Sequence, residues 1–131
     1  MKILINLSNH HSAKWSSDQA KEWTKIINID FPHIPADLTG KAVKRIAENY
    51  AQHIIEVKEK LKNSSNGIVT DNDVFVYFAG EYSFCYYLLE ELRGKVRIVI
   101  PTSERIKTET INPDGTVTGK VIFKFCQWRE L

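Results

Sequence analysis

The residues most suited to catalysis are His10 and His11, in the polar stretch that follows the first apolar run of the chain. Imidazole titrates near neutral pH, so either side chain suits a general acid, a general base or a phosphate contact. A solvated loop position without a chemical role is an equally strong alternative. No metal site is predicted, because neighbouring side chains tend to point apart and no second histidine or cysteine cluster completes a tetrahedral set.

Three further segments carry polar side chains of the same kind. Arginine is the side chain best shaped for a bidentate phosphate contact, so Arg105 is the third candidate catalytic residue, with a surface ion pair as the alternative. Glu81 is a candidate for ligand contact, and the alternative is that it caps a helix. Trp15 is predicted to act as a hydrophobic staple at a helix N-terminus rather than as a ring on which a base stacks. The candidate ligand-binding residues are Ser8, Asn9, Lys14, Phe31, Gly80, Glu81, Tyr82, Ser83, Thr102, Ser103 and Glu104.

Several function classes are excluded by what the sequence lacks. It has no G-x-G-x-x-G after the first strand, no G-x-x-x-x-G-K-[ST] and no G-x-S-x-G, which argues against a typical dehydrogenase, a P-loop NTPase and a serine acyl transferase. The net charge of +2 is too small for a general binder of long nucleic acids. Hydroxyls, amides, cations and aromatic rings together favour a phosphate-bearing nucleotide as ligand, without a cofactor.

Hydrophobic periodicity predicts the elements that must position these side chains. Apolar runs at residues 2–7, 25–29, 74–79 and 96–100 are typical of buried parallel strands. Apolar stripes or caps predict helices at residues 17–24, 39–62 and 85–92. This alternation predicts one α/β domain over residues 1–131, with a mainly parallel, Rossmann-like sheet and helices on both of its faces.

The C-terminal part has a different pattern. Residues 106–111 and 117–126 flank Asn112-Pro113-Asp114-Gly115, so they should form an antiparallel hairpin at the sheet edge or at a partner subunit. Four polar segments are predicted to be loops at the carboxyl ends of the strands, where open α/β sheets bind ligands: residues 8–15, 30–35, 80–83 and 102–105. Cys85 and Cys126 are expected to be reduced thiols. With neither a membrane helix nor a signal peptide expected, a cytoplasmic protein is predicted.

Four short segments resemble a known group of proteins: Lys2-Ile3-Leu4-Ile5-Asn6-Leu7-Ser8-Asn9-His10, Ala79-Gly80-Glu81-Tyr82-Ser83-Phe84, Thr102-Ser103-Glu104-Arg105, and Phe123-Lys124-Phe125-Cys126-Gln127-Trp128-Arg129-Glu130. Together they resemble the small stand-alone CRISPR-associated proteins of type III systems, which are CARF-like, Rossmann-type domains. The resemblance spans most of the chain.

The resemblance implies binding of a cyclic oligoadenylate second messenger, most plausibly cyclic tetra-adenylate, at the two-fold interface of a homodimer. It also implies that loops of this kind line the pocket. The leading interpretation is a ring nuclease that cleaves the messenger without a metal and ends antiviral signalling. The alternatives are a sponge that binds the messenger without cleaving it, and a protein-interaction module that uses the aromatic C-terminal hairpin.

Overall fold

The computed structural model describes residues 1–131 and contains one five-stranded sheet of order β2-β1-β3-β4-β5. The first four strands are parallel, and β5 pairs antiparallel with β4. The chain is therefore α/β with a mainly parallel sheet and a C-terminal hairpin, as the sequence predicts. The strands are β1 (Ile3–Ser8), β2 (Lys25–Asp30), β3 (Val74–Ala79), β4 (Arg97–Ile111) and β5 (Val117–Glu130), and the helices are α1 (Ser17–Ala20), α2 (Gly40–Ser64) and α3 (Tyr82–Leu92).

Both long helices pack on the same face of the sheet. Alternate residues of β1 and β3 point to this face and meet the apolar stripes of α2 and α3 in one cluster of fifteen buried residues. Thr39 begins α2 by accepting a hydrogen bond from the Ala42 N–H. We call this side of the sheet the helical face.

The opposite side, which we call the aromatic face, has no long helix. Its buried residues are Leu4, Trp23, Phe75, Tyr77 and Val99, with Trp15 and Trp128 packed against them. The prediction of helices on both faces is therefore wrong for the long helices, because aromatic rings and the four-residue α1 cover this side instead. Five large aromatic rings exclude water from this face of the sheet, since each buries a large apolar area.

Helix α1 stops earlier than the sequence predicts. Ser16 caps it as expected by accepting a hydrogen bond from the Gln19 N–H, but the helix ends at Ala20 rather than Thr24. The Thr24 N–H already donates to the Lys2 carbonyl at 2.8 Å, and the Trp23 side chain is buried on the aromatic face. Docking of Trp23 onto the sheet therefore overrides the local helical pattern.

The fourth predicted loop, residues 102–105, is not a loop. These residues lie inside β4, which runs unbroken from Arg97 to Ile111 and pairs with β5 along its length. Pro101 is tolerated because the pairing of β4 with β3 covers only Arg97 and Ile98, so no partner strand on that side needs its missing N–H. A register shift between Thr102 and Ser103 marks a β-bulge, beyond which residues 103–125 form a two-stranded ribbon.

None of the helices is both long and apolar enough to cross a membrane. Cys85 and Cys126 are both free thiols.

Candidate functional site

A pocket of about 390 Å³ opens on the aromatic face, at the carboxyl ends of β1 and β3. One wall comes from the segment after β1, and the facing wall comes from the base of the ribbon. This brings together residues more than a hundred positions apart in the chain. We call it the ribbon pocket, and it is lined by His10, Lys14, Trp15, Ser16, Gln19, Tyr77, Pro101, Ser103, Phe123 and Phe125.

Four polar side chains beneath the pocket form a hydrogen-bonded group, which we call the polar cluster: Asn6, Ser8, Ser12 and Asn28. Asn6 and Asn28 are register partners on β1 and β2, and the Asn6 Nδ2 donates to the Asn28 Oδ1 at 2.9 Å. The Ser8 Oγ lies 2.8 Å from the Asn6 Oδ1. Asn28 in turn accepts from the Ser12 N–H at 3.1 Å and donates to the Ser12 Oγ at 2.8 Å. The cluster ties the segment after β1 to two strands of the sheet.

The carbonyl oxygen of His10 is the point where this segment is held most firmly. It accepts hydrogen bonds from the Asn6 Nδ2 at 3.0 Å and the Trp15 Nε1 at 3.1 Å, and the Ser8 Oγ lies 3.2 Å away. The His10 N–H also donates to the Ser8 Oγ, at 3.2 Å. The backbone of His10 is therefore fixed on both sides while its side chain is exposed in the pocket.

Aromatic rings form one wall of the pocket and continue from it toward the sheet. Trp15 lies with its ring centroid 6.3 Å from Tyr77 and 5.5 Å from Trp128, and Phe125 lies 6.0 Å from Trp128. The Trp128 Nε1 donates to the Gln19 carbonyl at 2.8 Å, which joins α1 to β5. Burial raises the pKa of the Tyr77 hydroxyl, so this ring stays neutral at physiological pH. Such a wall offers flat apolar surface beside polar groups.

The side chains that line the pocket are basic or uncharged. Lys14 and His10 are the titratable residues among its exposed lining, and no carboxylate side chain lines it. Ser16, Gln19 and Ser103 add uncharged hydrogen-bonding groups. Cations beside aromatic rings suit a ligand that combines a phosphate with a planar base.

Only some of the predicted site residues in the segment after β1 line the ribbon pocket. His10 and Lys14 line the pocket, whereas Ser8 is buried in the polar cluster. The His11 Nδ1 accepts from the Ala13 N–H at 3.1 Å and so caps the short 3₁₀ turn at residues 12–14. Asn9 is exposed and does not line the pocket. The two adjacent histidines therefore differ: His10 lines the pocket, and His11 caps the turn.

The residues after β2 and β3 serve the helical face. Glu81 caps α3 by accepting from the Ser83 and Phe84 N–H groups, and its hydrogen bonds from the Ser83 hydroxyl and the Phe84 amide hold the pKa of its carboxyl below the ordinary value. Phe31 packs edge-on against Phe84 with centroids 5.1 Å apart, and it covers Gly80. None of these five residues lines the ribbon pocket.

Tyr82 is 84% exposed and is the first residue of α3, where it lines an apolar depression of about 190 Å³ on the helical face. That depression is separate from the ribbon pocket and shares no lining residue with it.

The last group of predicted residues alternates along β4. Ser103 lines the pocket, and the Thr102 Oγ1 donates to the Gln127 carbonyl at 3.0 Å. Glu104 lies opposite Lys124, on the other side of the ribbon. Arg105 lies opposite Phe123, which lines the pocket, and shares the side of the ribbon that carries Ser103. Arg105 therefore extends the cationic character of this side without lining the cavity.

The site also contains residues that sequence reasoning missed: Asn6, Asn28, Tyr77, Phe123, Phe125, Ser16 and Gln19. A signal existed for two of them. Asn6 and Asn28 each interrupt an otherwise apolar strand, and a buried amide must find hydrogen-bond partners nearby. The ribbon residues had no local signal, because only the pairing of β4 with β5 brings them to His10.

No group of three or more histidine, cysteine, aspartate or glutamate side chains lies close enough to hold a metal ion.

In a comparison with known protein families, residues 2–129 match the model of the Uncharacterized protein MJ1673 family. No curated protein and no solved structure matches the chain.

Proposed function

This chain belongs to the uncharacterized MJ1673 family, and we propose that it binds a cyclic oligoadenylate in the ribbon pocket and cleaves it as a metal-independent ring nuclease. The observation that carries the proposal is the composition of this pocket: a cation, an exposed histidine and aromatic rings, with no carboxylate among the lining side chains. The cation can pair with a nucleotide phosphate, and the aromatic rings can stack on an adenine base. The resemblance to CARF-like proteins of type III CRISPR systems supplies the identity of the nucleotide.

The reaction requires little of the protein beyond geometry and proton transfer. A ribose 2′-oxygen forms a bond to its neighbouring phosphorus while the bond from phosphorus to the 5′-oxygen breaks. The 2′-hydroxyl proton passes to a base, and a proton is delivered to the departing 5′-oxygen. The products are a 2′,3′-cyclic phosphate end and a 5′-hydroxyl end. Holding the three reacting atoms in line can remove several kcal/mol of the barrier.

His10 is the best-placed candidate for the proton transfer. Its side chain is exposed in the pocket, whereas the His11 Nδ1 is engaged by the Ala13 amide. Lys14 would stabilise the negative charge on the phosphoryl oxygens, and Arg105 would act on the part of a ring that extends along the ribbon. General acid–base catalysis of this kind contributes about a hundredfold or more.

The size of the pocket favours a homodimer as the working unit. A volume of about 390 Å³ lies at the small end of ligand sites, which span about 300–1,000 Å³ for drug-sized molecules. A ring of four nucleotides exceeds one such pocket, and its symmetry matches two subunits related by a two-fold axis. Mass measurement of the complex should give one ring for two chains.

The decisive test is incubation of the protein with cyclic tri-, tetra- and hexa-adenylate, with and without EDTA, followed by chromatography and mass spectrometry. Linear products in EDTA support the ring nuclease, and an intact ring that co-elutes with the protein identifies a sponge. His10→Ala should lower turnover about a hundredfold. His53→Ala, at an exposed histidine of α2, is the matched control and should retain turnover.

A second function, a protein-interaction module, is favoured by the ribbon itself. It carries exposed apolar side chains at Ile111, Val117, Val121, Ile122 and Phe123, and an isolated two-stranded hairpin is only marginally stable in water. If no ring binds at any concentration while the ribbon captures another protein, this alternative replaces the nuclease.

A further inference from the structure

Asn6 occupies a position where an apolar residue would be expected. It lies in the middle of β1 with 1% of its surface exposed, and its neighbours along the strand, Ile5 and Leu7, are fully buried. A buried amide lowers stability unless its donors and acceptor are all bonded. The hydrogen bonds of Asn6 meet this condition, because Nδ2 donates to the His10 carbonyl and to Asn28, and Oδ1 accepts from Ser8.

All of these bonds lead to one place, the segment that carries His10. The His10 carbonyl accepts hydrogen bonds from the Asn6 amide and the Trp15 indole, and the His10 N–H donates to the Ser8 hydroxyl. A peptide group is planar, so two donors that reach one oxygen from different side chains fix its orientation and the position of the adjoining Cα. The direction in which the His10 side chain leaves the backbone is fixed with it.

We infer that Asn6 is a positioning residue that holds His10 at the ribbon pocket. The inference rests on the proposed function, in which His10 transfers the proton, and it assigns a role to a residue that never touches the ligand. Reacting groups must stay close to their productive geometry, since a misplacement of about 1 Å can cost about a hundredfold in rate. A hydrogen bond from a sheet strand is a more rigid support than a loop contact.

Two aspartate variants give a matched test, because they add the same charge at neighbouring positions. In Asn6→Asp the lost hydrogens served the His10 carbonyl and the Asn28 Oδ1. A carbonyl cannot become a donor, so the His10 contact is lost. In Asn28→Asp the lost hydrogen served the Ser12 hydroxyl, which can rotate and donate to the carboxylate instead. Only the first variant should release the segment.

The expected result is a separation of turnover from binding. Both variants place a negative charge near the anionic ring, so KM should rise in both to a similar extent. Asn6→Asp should in addition lose about 10–100-fold in kcat, while Asn28→Asp should lose about threefold or less. Nitrogen-15 relaxation should show greater mobility of the amides of residues 9–12 in Asn6→Asp alone. Equal losses of kcat, or an unchanged mobility in Asn6→Asp, would overturn the inference.

Ser8→Ala keeps the test valid if Asn6→Asp does not fold. It introduces no charge and removes the hydroxyl that accepts from the His10 N–H and donates to the Asn6 Oδ1. It should raise the mobility of residues 9–12 and lower kcat about tenfold without changing KM; a segment as rigid as in the wild type contradicts the inference. If the wild type cleaves no ring, the proposed function fails, and the relaxation measurement alone still decides whether the polar cluster positions His10.

Discussion

The two faces of the sheet use the residues at their strand ends for different purposes. On the helical face, the residues after β2 and β3 support the helices: Phe31 packs over Gly80, and Glu81 caps α3. On the aromatic face, the segment after β1 is fixed by hydrogen bonds and leaves His10 and Lys14 exposed. In this protein the side chains that stay exposed follow β1, because no long helix begins there to use them as caps or packing contacts.

The largest expected effect is on stability, and it sets the two faces apart. Phe84→Ala removes a fully buried ring from the helical face and should lower the free energy of unfolding by about 3–5 kcal/mol. Phe123→Ala, at a ring that is 69% exposed on the pocket wall, should change it by less than about 0.5 kcal/mol. Chemical denaturation measures both. Phe123→Ala should instead weaken cyclic tetra-adenylate binding, and unimpaired binding would remove this ring from the pocket wall.

A smaller loss of stability is expected from an added methyl group at Gly80. A Cβ at this position would lie 2.4 Å from the Phe31 Cζ, so Gly80→Ala forces the ring out of its place against Phe84. Overpacking of this kind costs about 1–3 kcal/mol. Gly119→Ala is the control, because no atom lies within 4 Å of its added Cβ. Its unfolding free energy should stay unchanged or rise slightly, as thermal denaturation would show; similar losses at both glycines would contradict the packing role of Phe31.

Lys14 tests the charge of the aromatic face. Lys14→Ala should weaken binding of cyclic tetra-adenylate about tenfold at low salt, and less at high salt, because an exposed charge is screened. Lys44→Ala, on the exposed side of α2, changes the net charge equally and should bind as the wild type does. Isothermal titration at two salt concentrations measures the difference. Equal losses in the two variants would indicate a general charge effect and no local phosphate contact.

The smallest expected effect concerns the cap of α3. The pKa of Glu81 is lowered by its hydrogen bonds to Ser83 and Phe84, so its charged form stabilises the folded state. This contribution is fully present above the ordinary glutamate value of 4.5 and is lost as the pH falls through the lowered pKa. Glu81→Gln should therefore be slightly less stable than the wild type at pH 7. The difference should vanish in acid, and a difference that persists there would assign it to another cause.

The fold followed from the sequence more completely than the site did. Apolar runs and stripes predicted the strand–helix order, and capping and turn motifs predicted the cap at Ser16 and the hairpin at the C-terminus. Of the predicted site residues, His10, Lys14 and Ser103 line the ribbon pocket. Phe31 and Glu81 had the right position at strand ends, but the face to which each side chain points depends on packing against α3.

What the sequence determined by itself is local: periodicity of two or 3.6 residues, capping side chains and a turn motif act between near neighbours in the chain. What only the tertiary structure decided is which distant segments meet. The pairing of β4 with β5 carries Phe123 and Phe125 to His10, and the pairing of β1 with β2 brings Asn6 to Asn28. Strand register is set by contacts along the whole sheet, so no short stretch of sequence contains it.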